Sequence, residues 1–172
     1  MTRLHIILII GLNFLMVSGT QGQDLDSVEY LKNYAERIKL DRIDDVYIPS
    51  DTEDALNELF RLTDPEGRKK LLTAPEDTIA SKLHFSLGRW IQINWGFDGG
   101  SRLSHYYKLK GVTETDDKID LLIRAFHRKL RGKDIEEDKL IHTYIDKRKK
   151  EHEARTKKLK VLEKNTRRKE SR

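Results

Sequence analysis

The sequence predicts an all-α protein: a small multi-helix domain around a central Trp-rich helix, with an N-terminal helical arm and a long charged C-terminal helix. Apolar residues recur at steps of three and four in most segments, which is the spacing of one helix face. Capping residues precede these segments and glycines follow them, whereas hardly any stretch alternates like a strand. Hydrophobic and charged residues each make up 37% of the 172 residues, so part of the chain must lie outside the core.

Residues 1–22 are predicted to be a signal peptide. Arg3 supplies a positive n-region, the apolar run over 4–17 is too short for a comfortable membrane span, and small residues follow it. Export to the periplasm or the exterior after cleavage is expected, with retention as an anchor as the alternative. The chain has no cysteine, so it has neither a lipoprotein acceptor thiol nor a disulfide.

Residues 23–49 are predicted to form a helical arm and an extended connector. The apolar residues of the arm follow helical steps: Leu25, Val28, Leu31, Tyr34 and Ile38. The connector, residues 43–49, ends at Pro49, because a residue before proline favours extended backbone.

The helical domain is predicted over residues 50–132, and it begins with two short helices. Ser50 and Glu53 have the spacing of a capping box, and Thr63-Asp64-Pro65-Glu66 is typical of a second helix start. The apolar positions expected to face the core are Ala55, Leu56, Leu59, Phe60, Leu62, Leu71 and Leu72.

The central helix is predicted from a capping box at Thr73 and Glu76 to a stop at Gly96. Its stripe consists of Ile79, Leu83, Leu87, Trp90, Ile91 and Asn94, with Trp95 on another side. Gly88 lies inside the helix, where glycine costs roughly 1 kcal/mol relative to alanine. Close packing of a neighbouring helix is the preferred explanation, and room for a ligand is the alternative.

Two further helices are predicted after a flexible Asp98-Gly99-Gly100 turn. Ser101 caps the first, which Gly111 closes, and Thr115-Asp116-Asp117 starts the second, which ends before Gly132. Their apolar faces are Leu103, Tyr106, Tyr107 and Leu109, then Ile119, Leu122, Ile123, Phe126 and Leu130. The two aspartates suit the helix dipole better than a metal site, because no third ligand lies at a useful spacing.

Residues 133–172 are predicted to be a basic helical tail. They carry 15 Lys/Arg and 9 Asp/Glu, a net charge of +6, which leaves −1 for the rest of the chain. Leu140, Ile141, Tyr144 and Ile145 could dock on the domain, and a solvated helix is expected after Asp146. An anionic surface could bind through Lys147, Arg148, Lys149 and Lys150. Nucleic acid is not favoured, because residues 145–172 lack aromatic side chains for base stacking.

The pattern H-x2-LGxWI-x2-NWG, followed by GS-x-L and by a DD turn, resembles an uncharacterised bacterial family, a domain of unknown function. The similar positions are His84, Leu87, Gly88, Trp90, Ile91, Asn94, Trp95, Gly96, Gly100, Ser101, Leu103, Tyr106, Gly111, Asp116 and Asp117. The resemblance covers about residues 54–132 and implies a small helical domain without an activity. The chain departs from the family pattern at Gln92-Ile93, Phe97-Asp98 and Glu114-Thr115.

The candidate binding residues lie where aromatic residues and glycines concentrate. They are His84, Trp90, Asn94, Trp95, Phe97, Ser101 and His105. No catalytic residue, metal ligand or cofactor is predicted, since the chain has no H-E-x-x-H pair, cysteine cluster, serine elbow or phosphate loop after a strand. His84 itself is expected to be a hydrogen-bonded core residue, with a site role as the alternative.

These features favour a non-catalytic binding or interaction module of the bacterial envelope, whose partner is a protein or an envelope polymer. One alternative is a hydrolase acting on an envelope polymer, with His84 or His105 beside an acid. A second alternative is a tether to an anionic surface through the basic tail. An enzyme should show an open cleft where a histidine and a carboxylate converge.

Overall fold

A computed structural model describes the backbone of residues 21–170 and the side chains of residues 27–163. The chain divides into two units, Met1–Asn33 and Tyr34–Arg172. In the first unit the described residues belong to helix α1, Gln21–Arg37, on which Val28, Tyr30 and Leu31 are exposed. Nearly all of the expected signal peptide lies outside the described residues. Within the described part, no helix is long and apolar enough to cross a membrane.

A small hairpin follows α1, where the sequence predicts an extended connector. Strand β1, Arg42–Ile43, pairs antiparallel with β2, Val46–Tyr47. Asp44 and Asp45 join them with φ values of 49° and 62°, a left-handed turn that aspartate tolerates better than most residues. The hairpin buries Ile43 and, just after it, Ile48.

Helices α2, Thr52–Leu62, and α3, Pro65–Leu71, begin at aspartate caps. The predicted Ser50–Glu53 capping box is wrong by one residue, because the Asp54 N–H donates to the Asp51 carboxylate at 3.0 Å. Helix α2 buries Ala55, Leu56 and Leu59. Phe60 and Leu62, which the sequence places on the core side, are exposed.

The Trp-rich segment consists of α4, Glu76–Leu83, a π-helical segment, His84–Gly88, and α5, Arg89–Asn94. The predicted Thr73–Glu76 capping box does not form: the Thr73 hydroxyl donates to the Lys70 carbonyl, and Pro75 holds the cap position. Gly96 ends the segment at a φ of 61°, as predicted. The π-helical segment is not predicted, and one wider turn shifts the register of the residues that follow it.

Three helices complete the domain: α6, Arg102–Leu109, α7, Thr115–Leu130, and α8, Glu137–Glu170. Helix α7 contacts α2, α4, the π-helical segment, α5, α6 and α8, so the Trp-rich segment packs along α7. A Cβ on Gly88 would lie 2.8 Å from the Ile119 methyl, which confirms close packing as the reason for that glycine. The prediction of an all-α multi-helix domain is confirmed.

Helix α8 is held by its first three turns. Leu140, Ile141 and Tyr144 are buried, which confirms the predicted docking. Just beyond them, the buried Asp117 carboxylate of α7 pairs with Lys147 Nζ at 3.3 Å and Arg148 Nε at 2.5 Å. Most described side chains from residue 149 to residue 163 are exposed, as the solvated-helix prediction requires.

Candidate functional site

Four of the seven candidate binding residues hold the domain together. Trp95, Phe97 and Ser101 are buried, and the Ser104 N–H donates to Ser101 Oγ at 3.4 Å, which caps α6. Asn94 Nδ2 donates to the Trp90 carbonyl at 2.9 Å within its own helix. A partner could therefore reach little of these side chains, and a binding role for them stays a prediction.

The other three candidates, His84, Trp90 and His105, are half-buried. The Trp90 ring packs edge-on against Trp95, with centroids 5.8 Å apart. The structure therefore brings the two indoles together, although their spacing suggests different sides of the helix. His84 and His105 face different partners, so the seven residues do not form one site.

His84 faces two carboxylates one turn apart on α7. Its Nδ1 lies 3.2 Å from Asp120 Oδ1, and its Nε2 lies 3.7 Å from Asp116 Oδ1. Because residues i and i+4 of a helix share a face, both acids approach the same ring. A carboxylate-oriented imidazole is a common arrangement for proton transfer, and it also fastens the π-helical segment to α7.

Phe85, which sequence reasoning missed, is the most exposed large apolar side chain among the described residues, at 89%. Its ring lies 5.2 Å from that of His84. Arg89 and Ile93 follow at four-residue steps and are also exposed, Ile93 at 61%. We call Phe85, Arg89 and Ile93 the outer face. The four-residue spacing is visible in the sequence, but only the structure shows that these three side chains are exposed among the described residues.

Lys118 and Ser104 form a second pair that sequence reasoning missed. Lys118 Nζ donates to Ser104 Oγ at 2.9 Å, and each residue is only 4% exposed. Burial, together with the positive charge of Lys108, lowers the pKa of the Lys118 amine. A serine beside a lysine of lowered pKa can serve as a nucleophile, but this pair is closed to solvent. It therefore belongs to the α6–α7 packing.

A polar network joins the start of α8 to α2 and α6. The Glu137 carboxylate accepts hydrogen bonds from the hydroxyls of Thr52 at 2.6 Å and Tyr106 at 2.9 Å, and from Lys110 Nζ at 3.3 Å. The Tyr107 hydroxyl lies 2.7 Å from that of Thr52, and complete burial raises the pKa of Tyr107 well above its ordinary value. The polar side chains of this network form hydrogen bonds with one another, which indicates a structural role.

The Asp98-Gly99-Gly100 turn contacts side chains from the end of α1 of the same chain. Tyr34 and Arg37, at the end of α1, lie against Gly96, Gly99 and Gly100. The Tyr34 hydroxyl lies 2.9 Å from His105 Nδ1, and the Lys108 ammonium lies 4.9 Å from the centre of the Tyr34 ring. We call Gly96, Gly99, Gly100, His105 and Lys108 the socket, and Tyr34 with Arg37 the plug.

The possible metal-binding side chains and the four basic residues at 147–150 were also compared with the sequence predictions. Among the described residues, no group of three or more His, Cys, Asp or Glu side chains could hold a metal ion. Lys147 and Arg148, two of the four cations assigned to an anionic surface, pair with Asp117. Lys149 and Lys150 are exposed, and binding to an anionic surface stays a prediction.

Comparison with known proteins identifies the domain without assigning an activity. A search of curated proteins and a search of solved structures each returned no match. A family model matches residues 48–130, a range that contains the outer face and the socket but neither the plug nor α8. This match confirms the resemblance predicted from the sequence. Residues 48–130 of the chain therefore match the family described as Domain of unknown function (DUF6794).

Proposed function

We propose that the protein is an exported, non-catalytic binding module of the bacterial envelope, and that it binds its partner through the outer face. The observation that carries the proposal is Phe85, whose ring is 89% exposed. Transfer of a phenylalanine side chain from water to an apolar interface contributes about 1.5–3 kcal/mol. Aromatic residues and arginine are also the types that contribute most at protein interfaces, and Arg89 lies between Phe85 and Ile93.

Export is supported by the sequence of the first 22 residues. A basic n-region and a short apolar run are the features that the secretion machinery recognises.

Cell fractionation of the full chain with a C-terminal tag should place it outside the cytoplasm. N-terminal sequencing of that fraction should show a start near residue 20 or 23; a tagged protein found only in the cytoplasm with Met1 intact contradicts export.

The double substitution Phe85→Ala and Ile93→Ala should weaken capture of the envelope partner. Both side chains are exposed, so the substitutions remove contact area without creating a cavity in the core. The loss expected for two truncated interface anchors is at least about tenfold in affinity. The measurement is a pull-down from an envelope fraction followed by titration of the captured component.

Leu109→Ala is the matched control, because Leu109 is 76% exposed on α6 and does not belong to the outer face. It should leave capture unchanged. Equal capture by all three proteins would show that the outer face does not bind the partner.

A hydrolase acting on an envelope polymer is a second candidate, and the observation that favours it is the approach of Asp120 to His84. In this mechanism Asp120 orients the imidazole, which removes a proton from an attacking water. Polymer hydrolysis by the purified chain should then fall by about 10²–10⁴-fold in His84→Gln, while Phe85→Ala retains it. Absence of hydrolysis by the wild-type chain, or equal hydrolysis by His84→Gln, excludes this mechanism.

A further inference from the structure

The socket lies inside the DUF6794 domain, whereas the plug lies outside it. The family model begins at residue 48, and Tyr34 and Arg37 precede it. The domain thus carries a shaped surface whose occupant comes from a flanking segment.

The Tyr34 ring fits against a position that only glycine can supply. A Cβ on Gly100 would lie 2.3 Å from the Tyr34 ring, and the φ of Gly100 is 81°, where other residues are strained. His105 fixes the far end of the ring through the tyrosine hydroxyl, at 2.9 Å. Lys108 lies over the ring face, where a cation is attracted by the π electrons. Shape, a hydrogen bond and a charge therefore all select an aromatic phenol.

The Arg37 guanidinium occupies the other half of the socket. Its Nε donates to the Gly100 carbonyl at 3.1 Å. Cβ atoms on Gly96 and Gly99 would approach the same guanidinium to 2.8 and 3.3 Å. These glycines let the planar group lie flat on the turn, and the carbonyl gives it a hydrogen-bond acceptor.

The plug is a simple helical motif. Tyr34 and Arg37 are three residues apart near the end of α1, so they project from one face of the helix. Another helix with a tyrosine and an arginine at this spacing offers the same groups to the socket. The socket would recognise such a ligand through a single helical turn of the ligand rather than through an extended surface.

We propose that the socket is a peptide-binding site of the DUF6794 domain, that its ligand is a helical turn carrying tyrosine and, three residues later, arginine, and that α1 fills it as an intramolecular ligand. The inference rests on the proposed function, in that it gives the binding module a second site and a ligand. Because the plug is tethered, its effective concentration is on the order of millimolar. A free peptide therefore competes poorly until the plug is removed.

The test uses the full chain with the double substitution Tyr34→Ala and Arg37→Ala. The probe is a fluorescein-labelled peptide of residues 24–41, and binding is measured by fluorescence anisotropy. The substituted chain should bind the peptide at least about tenfold more tightly than the wild-type chain, whose socket is occupied. A peptide carrying the same two alanines is the control and should bind neither chain.

Additional variants test whether the gained peptide binding takes place in the socket. His105→Ala or Gly100→Ala, added to the double variant, should remove the gained binding, because one loses the phenol partner and the other fills the ring position. If circular dichroism shows that the double variant has lost its helices, Arg37→Glu alone replaces it and should gain binding in the same way. No gain in a folded variant, or equal binding of the control peptide, overturns the inference. The result is independent of the outer face, since Phe85 and Ile93 are unchanged throughout.

Discussion

Trp95→Ala should lower the free energy of unfolding by about 3–5 kcal/mol, the range observed when a buried tryptophan is truncated to alanine. Trp95 is fully buried, and its ring packs on Trp90. The substitution removes the apolar contacts of the ring and leaves a cavity that the surrounding helices fill only in part. Domains of this size are stable by about 5–15 kcal/mol, so the variant should be marginal. Urea unfolding followed by circular dichroism at 222 nm measures the change without relying on tryptophan fluorescence.

Trp90→Ala is the comparison that identifies burial as the cause. Trp90 is half-buried, so its truncation removes less contact area and should cost clearly less than Trp95→Ala. Phe85→Ala should change the free energy of unfolding by no more than about 0.5 kcal/mol, because its ring is in solvent. Equal costs for the two tryptophans would contradict the assignment of Trp95 to the core. A large cost for Phe85→Ala would show that its ring packs in solution.

The helix ends could be predicted from the sequence because their causes are local. Gly96, Gly111 and Gly132 were predicted to close helices, and all three have positive φ values, of 61°, 91° and 65°. Ser101 was predicted to cap α6 and does so. The two capping boxes failed for an equally local reason: Asp51 competes with Ser50 for the cap of α2, and Pro75 takes the cap position of α4.

The candidate site could be predicted less well, because burial depends on distant neighbours. Aromatic residues and glycines concentrate near Trp95 for two separate reasons: a core, and a turn shaped for Tyr34 of another helix. The amino-acid composition of this stretch cannot distinguish a core and such a turn from a ligand-binding site. Asp117 illustrates the same limit, since its partners lie thirty residues away on α8 and the helix dipole alone accounts for an acid at that position.

The outer face and the socket lie on different elements of the domain. The outer face belongs to the π-helical segment and α5, while the socket belongs to the turn and α6. A π-helical segment often marks a functional position in a helix, and here its extra residue accompanies the exposure of Phe85. Nothing in the residue types predicts where such a turn will form, so Phe85 was not a sequence candidate.

Between pH 10 and pH 12 the protein should lose about 2–3 kcal/mol of stability through Tyr144 alone, since each unit of pKa shift corresponds to 1.36 kcal/mol. Burial raises the pKa of Tyr144 to about 12; the Arg124 cation opposes this shift, and Asp120 adds to it. The unfolded chain releases the phenolic proton near pH 10, while the folded chain keeps it until about pH 12. The folded state therefore binds more protons in this window, and its stability falls as pH rises through it. Below pH 10 the contribution of Tyr144 is complete.

Tyr144→Phe removes this loss and tests its cause. The Tyr144 hydroxyl is buried and has no hydrogen-bond partner in the described part of the chain, so its removal should leave stability at pH 7 unchanged or slightly higher. Urea titrations at half-unit steps from pH 9 to pH 12 should then show a shallower decline than in the wild-type chain. Some decline should remain, because burial also raises the pKa of Tyr107. Superimposable wild-type and Tyr144→Phe profiles would mean that α8 does not bury Tyr144, and the docking of α8 on α7 would have to be abandoned.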